Sequence, residues 1–299
     1  MQQVLIVNPL ASRVTAELTM RVERELAAGG PVETILTERP LHGAELAADA
    51  AGHGARIFVF SGDGGYNEAV NGIDAESDVA VGFLPGGSTS VLPRALGVPR
   101  DPVAAARALV HGESKRISLG RVNGRRFTFS AGLGLDAELV RRVDGLGRSR
   151  GRRASDTVFA ATLLGIVGRR LGRFRPAMTV LGRERVAFAL VANCDPYTFV
   201  GRVPLHVAPR AQFEGGLDLV APRRLEPWLV PQVARWVMTG RGQEASRHVL
   251  YVHDLDELRI ECDAPTPLQV DGEDLGDVTE AHFEAERDAL TVLVPEGQG

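Results

Sequence analysis

Phe58-Val59-Phe60-Ser61-Gly62-Asp63-Gly64-Gly65-Tyr66-Asn67-Glu68-Ala69-Val70-Asn71-Gly72 joins a short apolar run to a helical segment through a glycine-rich turn. Glycines directly after a strand let backbone N–H groups approach an anion closely, and the helix that follows aims its positive N-terminus at the same place. The stretch therefore reads as a phosphate cradle, with Asp63 able to reach a phosphate-bound Mg²⁺ directly or through water. A plain strand-to-helix turn, with Asp63 as a cap and the glycines supplying positive φ, has the same composition.

Working outward, residues 4–7, 32–36, 56–60 and 79–84 read as strands. Residues 15–28, 44–51, 67–72 and 102–111 read as helices. Strands alternating with helices imply a parallel sheet with crossovers, whose ligands bind beyond the carboxyl ends of the strands. The loops there are residues 8–13, 37–42, 61–66 and 85–90. Asn8-Pro9 ends the first strand, Thr37 the second, and Leu84-Pro85-Gly86-Gly87-Ser88-Thr89-Ser90 the fourth. Glycines with hydroxyls suit a triphosphate, and they also suit ordinary turns.

After about residue 114 the pattern changes. Residues 117–122, 126–130, 178–181, 186–192, 217–221, 258–262, 266–270 and 290–294 read as strands separated by turns, interrupted by helices near 137–143 and 155–171. The expected fold is α/β plus β: an N-terminal α/β nucleotide-binding domain with a parallel sheet (1–113), then a mostly antiparallel β-sandwich domain for a lipid substrate (114–299), whose last strand returns toward the first domain. The Gly/Arg-rich stretch 145–153 is expected to be a mobile loop.

At 299 residues, with 44% hydrophobic and 24% charged residues, the chain can bury a substantial core. No apolar run of about 18 residues occurs and the N-terminus lacks the features of a signal peptide, so a cytoplasmic location is expected. Cys194 and Cys262 are too few and too far apart for a thiolate metal site or a disulfide framework. The net charge of -4 conceals an asymmetry: from Arg141 to Arg175 lie ten arginines against Asp144 and Asp156, a net of +8, so the remainder sums to -12. Such a face suits an anionic lipid surface, phosphate or nucleic acid, and equally a solvated arginine-rich exterior.

Six motifs in order resemble the diacylglycerol/sphingosine-type lipid kinases. They are Asn8-Pro9; Ser61 to Gly65 with Glu68-Ala69-Val70-Asn71-Gly72; and Pro85 to Ser90. The remaining three are Gly132-Leu133-Gly134-Leu135-Asp136-Ala137; Pro209-Arg210-Ala211 with Glu214-Gly215-Gly216-Leu217-Asp218; and Asp271-Gly272-Glu273. The resemblance implies an ATP- and Mg²⁺-dependent kinase that phosphorylates a lipid hydroxyl, diacylglycerol by default. It implies Asn8, Thr37, Gly62, Asp63, Gly64, Gly65, Asn67, Glu68 and Ser88 as nucleotide contacts, and Asp63 in the Mg²⁺ network. Asp271 and Glu273 are implied as the late acidic pair, one of them accepting the substrate hydroxyl proton. Glu214 is implied in a structural Mg²⁺ loop. The residues alone would make Asp271-Gly272-Glu273 a hairpin turn.

Expected partners are the lipid substrate, an anionic membrane surface through Arg141 to Arg175 at the inner membrane face, and no nucleic acid; a homodimer is allowed. The apolar run 158–167 suits a chain-binding cleft, an interfacial helix or a core-facing helix. Several positions depart from the family pattern. Ser61 stands where glycine is usual, Gly65 where threonine is usual, and Ser88, Ser90 and Val91 replace threonine, asparagine and aspartate. Rival readings are an NAD kinase-like enzyme, and a lipid- or nucleotide-binding relative that has lost catalysis.

Overall fold

The computed structural model describes residues 2–150, Thr162, Gly165, Ile166, Gly168 and 173–297. The chain divides into two compact units, Met1–Leu119 with Glu286–Gly299, and Gly120–Ala285.

In the first unit the elements run β1 (Gln3–Val7), α1 (Ala16–Leu26), β2 (Val32–Leu36), α2 (His42–Gly52), β3 (Arg56–Ser61), α3 (Asp63–Gly72), β4 (Val81–Pro85), α4 (Val91–Ala95) and α5 (Pro102–Val110). The strands are parallel in the order β4-β3-β1-β2. The end of the last strand joins β4 in parallel at Val292 and Val81. β1 and β4 are buried at every position and β3 at all but Arg56, as expected of strands covered on both faces. The order explains the cover. Right-handed crossovers from β1 to β2 and from β2 back to β3 put α1 and α2 on opposite faces, and α1 packs with α5 while α2 packs with α3. Local chemistry starts the helices: Thr15 accepts from the Leu18 N–H at 3.2 Å, and Asp101, just before Pro102, accepts from Ala104 N–H at 2.9 Å. Strand order reverses direction between β1 and β3, which marks the crevice beyond their carboxyl ends as the binding position of this sheet.

The second unit holds the end of β5 (Glu113–Val122), then β6 (Arg125–Phe127), β7 (Ser130–Leu133), α6 (Leu135–Arg150), β8 (Met178–Val180), β9 (Glu184–Val186) and β10 (Ala189–Ala192). There follow β11 (Thr198–Val200), β12 (Val203–Leu205), β13 (Leu217–Pro222), a 3-10 turn (Pro227–Leu229), α7 (Val230–Thr239), β14 (Val249–Leu255), β15 (Glu257–Val270) and most of β16 (Glu273–Val294). Its strands pair antiparallel in the order β14-β13-β10-β7-β15-β16, with the hairpin β8-β9 added to β15. The core gathers Phe127, Leu133, Val191, Leu219, Ile260 and Phe283, with Phe127 and Phe283 edge to face at 6.3 Å. The expected combination of parallel N-terminal strands and antiparallel C-terminal strands is thus observed.

Several boundaries differ from expectation for identifiable reasons. Residues 126–130 form two strands rather than one, because the backbone at 128–130 turns its N–H groups to the Asp271 carboxylate. Residues 186–192 break at Ala187, whose N–H bonds the Pro222 carbonyl at 2.8 Å. The two strands expected at 258–262 and 266–270 are one, β15, because register shifts against β16 absorb the intervening residues. The stretch 145–153, expected as a loop, is helical through Arg150, the arginines favouring helix against the cost of two glycines; residues 151–153 lie outside the described residues. So does most of the helix expected at 155–171. Ile166 in it is buried against Leu139, Phe174 and Leu229. No helix among the described residues is long and apolar enough to cross a membrane.

Candidate functional site

The N-terminal unit brings the loops after β1, β3 and β4 together. The Asn8 N–H bonds the Phe60 carbonyl at 3.1 Å, and the Asn8 side chain caps its own turn, accepting from Leu10 N–H at 3.0 Å. The Gly86 N–H bonds the Ser61 carbonyl at 2.7 Å, and the Arg13 N–H bonds the Gly86 carbonyl at 2.9 Å. The glycines are required by this contact. A Cβ at Gly87 would lie 2.9 Å from Gly62 Cα, and one at Gly86 would lie 2.7 Å from the Ser61 carbonyl oxygen. Thr37, at the end of β2, is tied to β1 through its N–H and the Val7 carbonyl at 2.8 Å.

Asp63 opens α3 and Gly62 caps it, with Gly64 and Gly65 half-buried in the first turn. Asp63 Oδ1 accepts from Val91 N–H at 2.7 Å, so this carboxylate caps α4. Val91 has no carboxylate, yet its backbone sets the position of Asp63. Ser88 is exposed and Thr89 half-exposed at the loop tip, while Ser90 is buried with φ 48. Of the other expected contacts, Asn67 is wholly buried and its carbonyl and Oδ1 face Asn71 Nδ2 at 2.8 and 3.1 Å. Glu68 accepts from Gly43 N–H at 3.2 Å and so anchors the start of α2.

Tyr66 was not singled out by sequence. Its fully buried hydroxyl lies 2.6 Å from the Ser61 carbonyl and 2.8 Å from that of Leu84, clamping the two glycine loops. Burial, with Asp63 nearby, pushes this phenol far above its usual pKa, so it remains a donor. The departures at 61 and 65 are coupled. A Cβ at Gly65 would lie 2.0 Å from Ser61 Oγ and 2.7 Å from Ser61 Cβ, so only glycine fits beside this serine.

In the C-terminal unit Asp271 is 3% exposed with φ 47. Its Oδ2 accepts from the Thr128 N–H at 2.7 Å and hydroxyl at 3.0 Å, and its Oδ1 from the N–H groups of Phe129 at 3.0 Å and Ser130 at 3.2 Å. Gly272 N–H donates to Gln269 Oε1 at 2.8 Å, and Gln269 Nε2 donates to Asp136 Oδ2 at 2.5 Å. The Tyr197 hydroxyl donates to the other Asp136 oxygen. A Cβ at Gly132 would lie 2.2 Å from Asp136 Oδ2, which explains the glycine of that motif. Burial raises the Asp136 pKa, opposed by the bonds from Tyr197 and Gln269. Asp136, Gln269 and Tyr197 were not picked out from the sequence as the hydrogen-bond network next to Asp271, although Asp136 stood in a quoted motif.

Glu273 is different. Its side chain is 41% exposed and its carboxylate meets Arg125 at 3.1 Å. Glu214 is exposed in the loop where Gly216 N–H bonds Asp254 Oδ1 at 2.7 Å. Among the described residues no group of three or more His, Cys, Asp or Glu is placed to hold a metal ion.

A parallel α/β unit with two glycine loops beyond the carboxyl ends of β3 and β4, followed by an antiparallel β unit, defines the class of fold. Residues 2–122 match the family model described as the diacylglycerol kinase catalytic domain. The chain is 35% identical over 114 residues to a diacylglycerol kinase of Bacillus subtilis, covering 34% of this chain and 37% of that one. It is 30% identical over 131 residues to a diacylglycerol kinase of Staphylococcus aureus strain Newman, covering 41% and 40%. The alignments thus span about two fifths of these curated relatives. A crystal structure of a diacylglycerol kinase from Bacillus anthracis superposes with a TM-score of 0.74 at 19% identity, covering 100% of this chain and 98% of that one. The resemblance drawn from the motifs is borne out over residues 2–122, which hold the first three of the six.

Proposed function

We propose that this protein is an ATP-dependent lipid kinase that transfers the γ-phosphoryl group to a lipid hydroxyl, with diacylglycerol as substrate and phosphatidic acid as product. The observation that carries it is the pair of interlocked glycine loops beyond β3 and β4, in the segment that matches the kinase family model. The donor set fits a polyphosphate: the N-terminus of the ten-residue α3, backbone N–H groups, and the hydroxyls of Ser88 and Thr89. On this reading Asn8, Thr37, Gly62, Gly64, Gly65 and Ser88 hold the nucleotide. Asn67 and Glu68 act behind them, by packing α3 and anchoring α2. Mg²⁺, when bound, would offset charge on the phosphates. Asp63 would hold it by the face of the carboxylate away from Val91, the other ligands being phosphate oxygens and water.

An alcohol attacking a phosphoryl group must lose its proton to a base within hydrogen-bond reach. Glu273 suits that task because it is half-exposed and oriented by Arg125. Asp271 acts as its support, with both oxygens satisfied by residues 128–130. We place the protein at the inner face of the membrane, attracted through the segment from Arg141 to Arg175. Within that segment Arg141 pairs with Asp274 and Asp277, and Arg142 with Glu138. The exposed Arg173 and Arg175 face solvent.

The test is γ-labelled ATP with Mg²⁺ and a panel of lipid alcohols in mixed micelles, comparing wild type with Glu273→Gln. Label entering diacylglycerol, and lost in the variant, supports the assignment. Label entering NAD in a parallel incubation would replace it with a soluble-substrate kinase, and bound ATP without any transfer would make the protein a non-catalytic relative.

A further inference from the structure

A concave surface of about 440 Å³ in the C-terminal unit is lined by Arg185, Arg223, Arg224, Arg247 and Trp228, with one carboxylate, Glu226, among them. None of these belongs to the motifs or to the site described above. Two of its guanidiniums are fixed: Arg185 is paired to Asp263 and Arg223 to Glu184. The other two project. Arg224 is 67% exposed, with Glu226 at 3.9 Å, and Arg247 is exposed and bonded to His248 at 3.4 Å. Phe174 pairs with Leu225 through both backbone bonds and buries its ring, so alternation turns its neighbours Arg173 and Arg175 outward beside Arg224.

Trp228 sits in the same wall, on the 3-10 turn Pro227–Leu229, and is 70% exposed. The turn is not loose, because Leu225 and Leu229 on either side are buried against Phe174, Leu139 and Ile166. A rigidly presented indole at the rim of a cationic hollow is costly in water. It is favourable at a bilayer headgroup layer, where the ring's apolar body and polar N–H each find a partner. The volume suits a phosphoglycerol headgroup and is too small for a folded partner.

We propose that this hollow docks the headgroup of an anionic phospholipid, with Trp228 seated in the interfacial layer. The proposal rests on the membrane-surface reading above and not on phosphoryl transfer. Each arginine near an anionic bilayer contributes about 1 kcal/mol, or about fivefold in partitioning, so Arg224→Gln with Arg247→Gln should weaken vesicle binding about thirtyfold at low salt.

The protein has two tryptophans, and Trp236 is buried, so Trp228 emission reports the hollow directly. Phosphatidylglycerol vesicles should shift the emission of the wild-type chain to the blue, and phosphatidylcholine vesicles should not. The shift should vanish in Trp228→Phe and at high salt, and weaken in the double arginine variant. Vesicle binding by sedimentation with no change in Trp228 emission would put the membrane contact elsewhere and overturn the proposal. A response to glycerol phosphate alone, without vesicle binding, would overturn it in favour of a soluble phosphate ester. Kinase assays on detergent-dispersed substrate separate these outcomes from failure of the catalytic reading.

Discussion

Replacing Gly65 by threonine restores the residue usual in the resembled motif, and the geometry says that it should be harmful here. An ideal Cβ at 65 falls 2.0 Å from Ser61 Oγ and 2.7 Å from Ser61 Cβ. Rotating the serine hydroxyl relieves the first overlap and leaves the second, between two groups fixed to backbone. Ser61 is 1% exposed in a strand buried at this end, so it has nowhere to retreat. Overpacking of this kind costs about 1–3 kcal/mol. Replacing a glycine within a helix would by itself recover about 0.5–1 kcal/mol. Gly65→Ala should therefore come out neutral to about 2 kcal/mol destabilising in the wild-type background. In a Ser61→Gly background the clash is gone and Gly65→Ala should stabilise by about 0.5–1 kcal/mol. The coupling between the two sites is then about 1–3 kcal/mol, well above the error of a double-mutant cycle. Urea denaturation of the four proteins measures it, and Ser61→Gly with Gly65→Thr should likewise be more stable than Gly65→Thr alone. Additive effects, with a coupling below about 0.5 kcal/mol, would refute the steric account.

Other perturbations separate support from chemistry. Asp271→Asn removes a charge that accepts four hydrogen bonds and should cost about 2–4 kcal/mol in urea denaturation, so its loss of activity would be structural. Glu273→Gln should change stability by less than about 1 kcal/mol while phosphoryl transfer falls at least tenfold. Asp63→Asn keeps an acceptor for Val91 N–H and should unfold within about 1 kcal/mol of wild type, with the Mg²⁺ dependence of transfer weakened. Tyr66→Phe leaves the Ser61 and Leu84 carbonyls without their clamp, at about 1–3 kcal/mol, and should raise KM for ATP more than it lowers kcat. Asp136 has a folded pKa raised from 3.8, so the folded state binds the proton more tightly. Its contribution is full below that value and is lost as pH rises through the raised one, and Asp136→Asn should flatten that part of the stability profile measured from pH 3 upward.

The first unit was legible because its signals are local. An unbroken apolar strand such as 56–60 followed by glycines announces both the strand and the loop, and the order of four such repeats implies the parallel sheet. The second unit was less so. β14 and α7 went unseen for different reasons: the apolar run 249–252 of β14 does not alternate, and α7, although amphipathic, opens in a segment holding Pro227 and Pro231 that reads as a turn, while β15 was split because a strand with register shifts breaks the alternation that reveals strands. The candidate site followed the same rule. Asp63 could be singled out from the chemistry of its loop and Glu273 only through the resemblance, and no sequence pattern tells that Glu68 anchors α2, or that Asp271 is wrapped by residues 128–130 some 140 positions earlier. Those are long-range hydrogen bonds, and only the fold reveals them.

The same geometry bears on Val91, the departure that most threatens catalysis. Val91 is 3% exposed and its N–H, not its side chain, holds Asp63 Oδ1 at 2.7 Å. A carboxylate here would be buried close to Asp63, and two adjacent carboxylates disfavour each other's ionised form unless a cation lies between them. Valine removes that repulsion while leaving the cap on α4 and the orientation of Asp63 intact. The loop is therefore complete as a structure with one acidic side chain where the resembled pattern has two. The consequence falls on the metal: with fewer protein oxygens, Mg²⁺ would depend more on the nucleotide for its ligands. It should accordingly bind weakly to the protein alone and much more tightly in the presence of ATP. Titration calorimetry with and without a non-hydrolysable ATP analogue distinguishes this from a preformed Mg²⁺ site, and tight binding of Mg²⁺ to the nucleotide-free protein through Asp63 would contradict it.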